Sequence, residues 1–173
     1  MKRILYLTPK NPAELREDIQ FLFESGIKNL NYIDVSRIID FSYLFKEMTD
    51  LQDLEIDEWD VSNGQEFTSM FEGCKDFNSD ISKWNMRNAH KCYNMFNGCH
   101  RFNCDLSGWK LPKLADAANM FAKCTDFSAD VSNWRLPNVY NVNWMFANCS
   151  NFDKSCVDNW GLSPRIEGRY NMF

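Results

Sequence analysis

The chain has 173 residues, enough for one domain with a substantial core and too few to argue for two. Its hydrophobic share is an ordinary 45%, but 14 Phe and 6 Trp make it aromatic-rich, and only 7 Gly and 5 Pro argue against disorder or a linker. A formal net charge of −5 argues against a sequence-independent phosphate binder and offers nothing to anionic lipid, so neither nucleic acid nor membrane is an expected partner.

The first 26 residues read as an N-terminal cap of one strand and one helix. Met1 to Leu7 starts like a signal peptide, but its apolar run is too short for one, since an export segment needs roughly seven apolar residues or more. No stretch approaches the ~18 apolar residues of a membrane span. Lys2 to Leu7 instead suits a short strand. Asn11-Pro12-Ala13-Glu14 has the N-cap, Pro and Glu order of a capping box. The helix then runs to about Glu24, with Leu15, Ile19, Leu22 and Phe23 on one face and Ser25-Gly26 as its stop.

From residue 27 onward a fixed period dominates. Tryptophan recurs at 59, 84, 109, 134 and 160, in steps of 25, 25, 25 and 26 residues. A Met-Phe pair ends at Phe71, Phe96, Phe121, Phe146 and Phe173, and Ile33 and Leu44-Phe45 fill the same two slots one unit earlier. An aliphatic residue lies three before each Trp, from Leu30 and Ile56 to Val157. A residue two after it is Val35, Val61, Met86, Leu111, Leu136 or Leu162, and three further on come Ile38, Gly64, Ala89, Leu114 and Val139, with Gly64 the weak member. After Met-Phe come Met48, Cys74, Cys99, Cys124 and Cys149, then Leu51, Phe77, Phe102, Phe127 and Phe152. Ile81, Trp84 and Met86 make an L-x-x-L-x-L pattern suggesting a short strand, and residues 89 to 99, apolar about every three, suggest a helical return. The expected fold is therefore an α/β repeat, a leucine-rich-repeat-like solenoid with short parallel strands and short helical returns: a cap over 1–26, six rungs over 27–173, one domain overall.

The units W-K-L-P-K-L-A-D-A-A-N-M-F-A-K-C (109–124) and F-N-S-D-I-S-K-W-N-M (77–86) resemble BspA-like surface-protein repeats. They are most similar to the roughly 25-residue variant of bacterial and phage proteins, and the resemblance covers about 27–173. It implies a leucine-rich-repeat-like solenoid with adhesion or binding roles, and no catalytic residues. With no export signal, a cytoplasmic or virion-associated place is expected, or the cell surface if a precursor segment has been removed.

Residues that suggest chemistry read mostly as structure. Cys74, Cys99, Cys124 and Cys149 share one column, where side chains point alike, so buried free thiols are expected rather than disulfides. The local cluster Cys92, Cys99, His100 and Cys104 lacks paired zinc-ligand spacing. Asp80, Asp105 and Asp130, preceded by Glu55 and Asn29, suit turns entering a strand better than calcium between rungs, because no second oxygen ligand recurs. His occurs only at 90 and 100, neither with an evident partner, and no phosphate-binding glycine loop exists. No enzyme, metal or cofactor is expected.

Binding is expected at variable positions. If Trp points inward, its neighbours point out, giving the columns Tyr32, Glu58, Lys83, Gly108, Asn133, Asn159 and Asp34, Asp60, Asn85, Lys110, Arg135, Gly161. Asp34, Glu58, Asp60, Lys83, Asn85, Lys110, Asn133 and Arg135 are the candidate binding residues of this outer strand face, acidic in early rungs and basic in rungs four and five. The expected function is a non-enzymatic scaffold for a protein partner. The alternative is a structural component, such as a phage virion or accessory protein, self-associating through an uncapped C-terminal rung.

Overall fold

A computed structural model describes residues 6–164, 166–169 and 171–173. Residues 1–5 of the expected N-terminal strand lie outside that range. Its last residue, Leu7, forms a single parallel bridge with Ile33, and its carbonyl accepts the Asp34 amide at 2.8 Å.

Helix α1, Pro12–Glu24, starts and stops where its end residues dictate. The Asn11 side-chain oxygen accepts the Ala13 and Glu14 amides, each at 3.0 Å, and Glu14 reaches back to the Lys10 amide at 2.8 Å. At the other end Gly26, at φ 72°, donates to Phe23 while Ile27 donates to Leu22, which together make a Schellman stop. Leu15, Ile19 and Leu22 are buried, Phe23 meets Phe45 at 6.5 Å, and Arg16 donates to the Ser42 carbonyl at 3.0 Å. The helix thus covers the core of the first repeat.

The repeats stack as coils: coil 1 (27–51), coil 2 (52–77), coil 3 (78–102), coil 4 (103–127), coil 5 (128–152) and coil 6 (153–173). Each coil is almost entirely turn, and this overturns the expected α/β solenoid of strands and helical returns. Among the described residues the helices are α1 and a four-residue 3₁₀ turn, Lys154–Val157, and there is no strand. Isolated parallel bridges join successive coils, running Asp40, Glu66, Lys91, Asp116, Asn141, Glu167.

Hydrogen bonding explains the difference. The Trp84 amide bonds the Ile81 carbonyl, Ala89 bonds Met86, Met95 bonds Cys92, Cys99 bonds Phe96 and Phe102 bonds Cys99, all three residues back. These are β-turn bonds, and they bring residues i and i+3 inward together with the two between them outward. The three-residue apolar spacing is therefore the signature of successive turns rather than of a helix. Over the segment read as a helical return, alternate amides leave the coil altogether. Cys92, Asn94, Phe96 and Gly98 donate to Asp116, Ala118, Met120 and Ala122 of the next coil, at 2.8–3.0 Å. In coils 1–5 positive φ values recur at two positions of this segment, at Asn94 (56°) and Gly98 (80°) in coil 3 and at Asn119 (54°) and Lys123 (63°) in coil 4. A right-handed helix cannot pass through such residues.

The aromatic and cysteine columns are interior, as their periodicity suggested. The Phe45, Phe71, Phe96, Phe121 and Phe146 rings stack at 5.2–5.7 Å, and each indole N–H of the buried Trp column ties its coil to the one before. Trp59 donates to Leu30 (2.9 Å), Trp84 to Ile56 (3.0 Å), Trp109 to Ile81 (3.1 Å), Trp134 to Leu106 (2.9 Å) and Trp160 to Val131 (2.8 Å). The thiols repeat the device: Cys74, Cys99, Cys124 and Cys149 donate to the carbonyls of Phe45, Phe71, Phe96 and Phe121. Burial pushes Cys74 and Cys149 up to about 12, so both stay protonated donors at neutral pH. In coil 6, Phe173 stacks on Phe146 at 6.2 Å, and the Lys154 ammonium lies 4.8 Å from its ring centroid.

Gly64, the weak column member, has a packing reason. A Cβ there would run into the Phe67 ring, which stacks on Phe41 at 5.2 Å and fills the space. In coils 2–4 the two adjoining columns trade volume, Gly64 with Phe67, Ala89 with Cys92 and Leu114 with Ala117, whereas coil 1 holds both Ile38 and Phe41. Gly64→Leu should therefore destabilise by about 1–3 kcal/mol through overpacking, and Phe67→Ala by about 3–5 kcal/mol through a cavity. The double variant, which copies the coil 4 pair, should recover part of the summed loss in urea unfolding. Simple additivity would refute the volume exchange.

Candidate functional site

All eight candidate binding residues are exposed, and they alternate with buried Ile, Trp and Val or Leu positions. The in-and-out order read from the sequence holds, but these residues sit on turns, so the outer strand face is corrected to an outer turn face. Turn chemistry also gives three of them a structural task. The Asp34 and Asp60 carboxylates accept the Ser36 and Ser62 amides at 3.0 Å, and Asn85 accepts the Arg87 amide at 3.3 Å. Each is the first residue of an Asx turn, which satisfies an amide two residues on.

Coils 4 and 5 solve the same turn differently. Two residues after Lys110 and Arg135 come Pro112 and Pro137, which have no N–H to satisfy. Proline supplies the fixed φ and removes the need for an acidic acceptor. The change from acidic to basic along the face is therefore a consequence of exchanging D-V-S for K-L-P and R-L-P. Freed from capping, positions 110 and 135 can carry cations at no cost to the turn.

The second acidic column has the turn role expected for it. Asp80, Asp105 and Asp130 accept the Ser82, Ser107 and Ser132 amides at 2.8–2.9 Å. The serine hydroxyls and amides beside Asp34, Asp80 and Asp130 hold their carboxyls below the usual carboxylate range. At Asp105 the Ser107 amide leads in the same effect, followed by its hydroxyl.

The structure brings Lys110, Asn133 and Arg135 together and leaves the other five spread over coils 1–3. These three line a hollow of about 270 Å³ on coils 4 and 5, bordered by Arg87 of coil 3 and by Pro112 and Pro137. Arg87 was missed by the sequence reading, although the register that places Pro112 and Pro137 places it too. No carboxylate lines the hollow, and no ion pair among the described residues engages Arg87, Lys110 or Arg135. Arg135 is steadied by its own backbone, its Nη1 donating to the carbonyls of Trp134 (2.8 Å) and Ser132 (3.3 Å). A second hollow, about 500 Å³, is lined by Asp53, Asp76 and Asp126 among others, with Arg101 held near Asp76 at 3.9 Å.

Cys92, Cys99, His100 and Cys104 do not converge. Cys92 and Cys99 are buried in separate columns, His100 is exposed, and Cys104 accepts the Ile81 amide at 3.4 Å. Among the described residues no group of three His, Cys, Asp or Glu side chains is arranged to hold a metal ion, and no helix is long and apolar enough to cross a membrane.

Two outcomes follow from the turn chemistry. Asp60→Ala should cost roughly 0.5–1.5 kcal/mol in urea unfolding, whereas Lys110→Ala should cost nearly nothing. Equal losses would refute the exchange of Asx for proline turns. Carboxyls depressed on folding contribute stability that is full above their unfolded value, 3.8, and is lost as pH falls through the lower folded value. The melting temperature should thus fall below about pH 4. Replacing Asp80, Asp105 and Asp130 by Asn, which keeps an acceptor without titrating, should flatten that fall. An unchanged slope would assign it elsewhere.

The comparisons with known proteins give a family. The curated proteins contain no match to the chain. The family model described as "Mycoplasma protein of unknown function, DUF285" matches residues 17–134 and again 108–173. Together the two matches take in part of α1 and all six coils, and the chain belongs to that family.

Proposed function

We propose that the chain is a non-enzymatic binding scaffold that presents its outer turn face to a protein partner. The observation that carries this reading is the division of labour between residues. Aromatic and thiol columns are spent on the interior, while the two columns that flank each Trp are exposed and differ from coil to coil. Glu58, Lys83, Lys110 and Asn133 cap no turn of the coils, so recognition is assigned to them first. Asp34, Asp60 and Asn85 shape the surface while holding it. The resemblance of the F-N-x-D-I-S-x-W … M-F unit to BspA-like surface-protein repeats supports an adhesion or binding role. Neither His90 nor His100 lines either hollow of the coil stack described above.

A second reading, assembly of copies through coil 6, has one observation in its favour: a hollow of about 210 Å³ lined in part by Val157, Leu162 and Phe173. Concentration-dependent mass in light scattering would favour it, and a constant monomer would count against it.

A photo-crosslinking residue at Lys83 and at Asn133, used in a lysate of the source cells, should trap the same adduct at both positions. The same residue at Asp126, on the other hollow, should not. Adducts confined to position 126, or none at 83 and 133, would overturn the assignment of the face.

A further inference from the structure

The hollow on coils 4 and 5 carries more than a place on a binding face. Its three cations, Arg87, Lys110 and Arg135, line one concavity without a single carboxylate, in a chain with 24 acidic and 19 basic residues. The composition of the chain as a whole makes such a local excess unexpected, and an unpaired cluster of like charge repels itself unless something neutralises it. Among the described residues four basic side chains are ion-paired, Lys28 with Asp50, Lys46 with Glu72, Lys91 with Glu66 and Arg101 with Asp76, and none of them lines this hollow.

We infer that this hollow is a docking site for an acidic, extended segment of a protein partner, its carboxylates taken by Arg87, Lys110 and Arg135. Three features favour this occupant. A guanidinium fork matches a carboxylate in a bidentate way, and Arg135 is already held through Nη1 with Nη2 and Nε uncommitted among the described contacts. Pro112 and Pro137 make a rigid, partly apolar wall with no amide of their own to satisfy, which suits the aliphatic stems of Glu or Asp side chains. Asn133 adds an amide able to pair with a peptide backbone. The acidic residues of coils 1 and 2 on the same face give the segment a direction, since they repel its acidic end. This inference rests on the outer turn face being the binding face.

The test uses the whole chain and a fluorescein-labelled Glu decapeptide as probe, read by anisotropy at low and at high salt. Wild type should bind at low salt and release at high salt. Arg87→Gln with Lys110→Gln, both exposed and without side-chain partners, should keep the melting temperature and weaken binding by roughly tenfold. Lys75→Gln, on another surface, should leave it unchanged. Equal weakening by Lys75→Gln, or no binding by wild type, would overturn the site. Tighter binding of a single-stranded oligonucleotide than of the peptide would overturn the carboxylate assignment. Dimerisation abolished by Lys110→Gln would make a second copy the occupant and overturn it too. Failure of the peptide with crosslinks at Lys83 and Asn133 intact would refute the acidic segment alone, whereas loss of both would refute the face.

Discussion

The structure depends on how backbone amides are divided between a coil and its neighbour. In coils 1–5, amides three residues apart close turns, while alternate amides in the 92–98 type of segment reach the next coil. Neither set alone would make a stable unit, because isolated turns bury too little and one coil leaves its outward amides without partners. Stacking satisfies both. The side chains finish what the backbone leaves open, with indole and thiol donors taking carbonyls of the coil before. The same columns that supply apolar area also supply these bonds. Coil 4 shows how strong the constraint is. Ala117-Ala118-Asn119-Met120-Phe121-Ala122 has good helix formers, yet it keeps the positive φ at Asn119 and the turn pattern of its neighbours. The stack overrides local propensity.

That constraint also shapes the surface. Because each coil must turn at the same register, residues at the turns are not free to vary until another device holds the bend. Asx acceptors do so in coils 1–3, and proline does so in coils 4 and 5. Only where proline has taken over do cations replace the acidic acceptor. Charge on the outer face is thus partly a record of turn chemistry. A surface with two ways of making one turn gains positions at which the outward side chain can change without loss of fold.

Much of this was legible in the sequence. The 25-residue register, the buried Trp, Phe and Cys columns, the ends of α1, the turn role of Asp80, Asp105 and Asp130, and the outward position of Lys83 or Asn133 all follow from spacing and residue type. The strands and helical returns did not survive, and the reason is specific. A three-residue apolar spacing serves a 3₁₀ helix and a chain of β-turns alike, and Ile81-x-x-Trp84 closes a turn where an extended segment would also put both residues near the core. Asn and Gly at positions 94, 98, 119 and 73 were the available signal, since they tolerate positive φ and Asn and Gly are poor helix formers. The meaning of Gly64 needed the neighbouring Phe67, as the hollow needed Arg87, and both are visible only when columns are compared in pairs.

Cross-hydrogen-bond couplings in NMR address the amide division most directly, because they name donor and acceptor for each bond. The stack requires couplings from the amides of Phe71, Phe96 and Phe121 to the carbonyls of Met95, Met120 and Met145, one coil further on. Couplings from these amides to carbonyls four residues back, within their own coil, would restore the helical return and contradict the account.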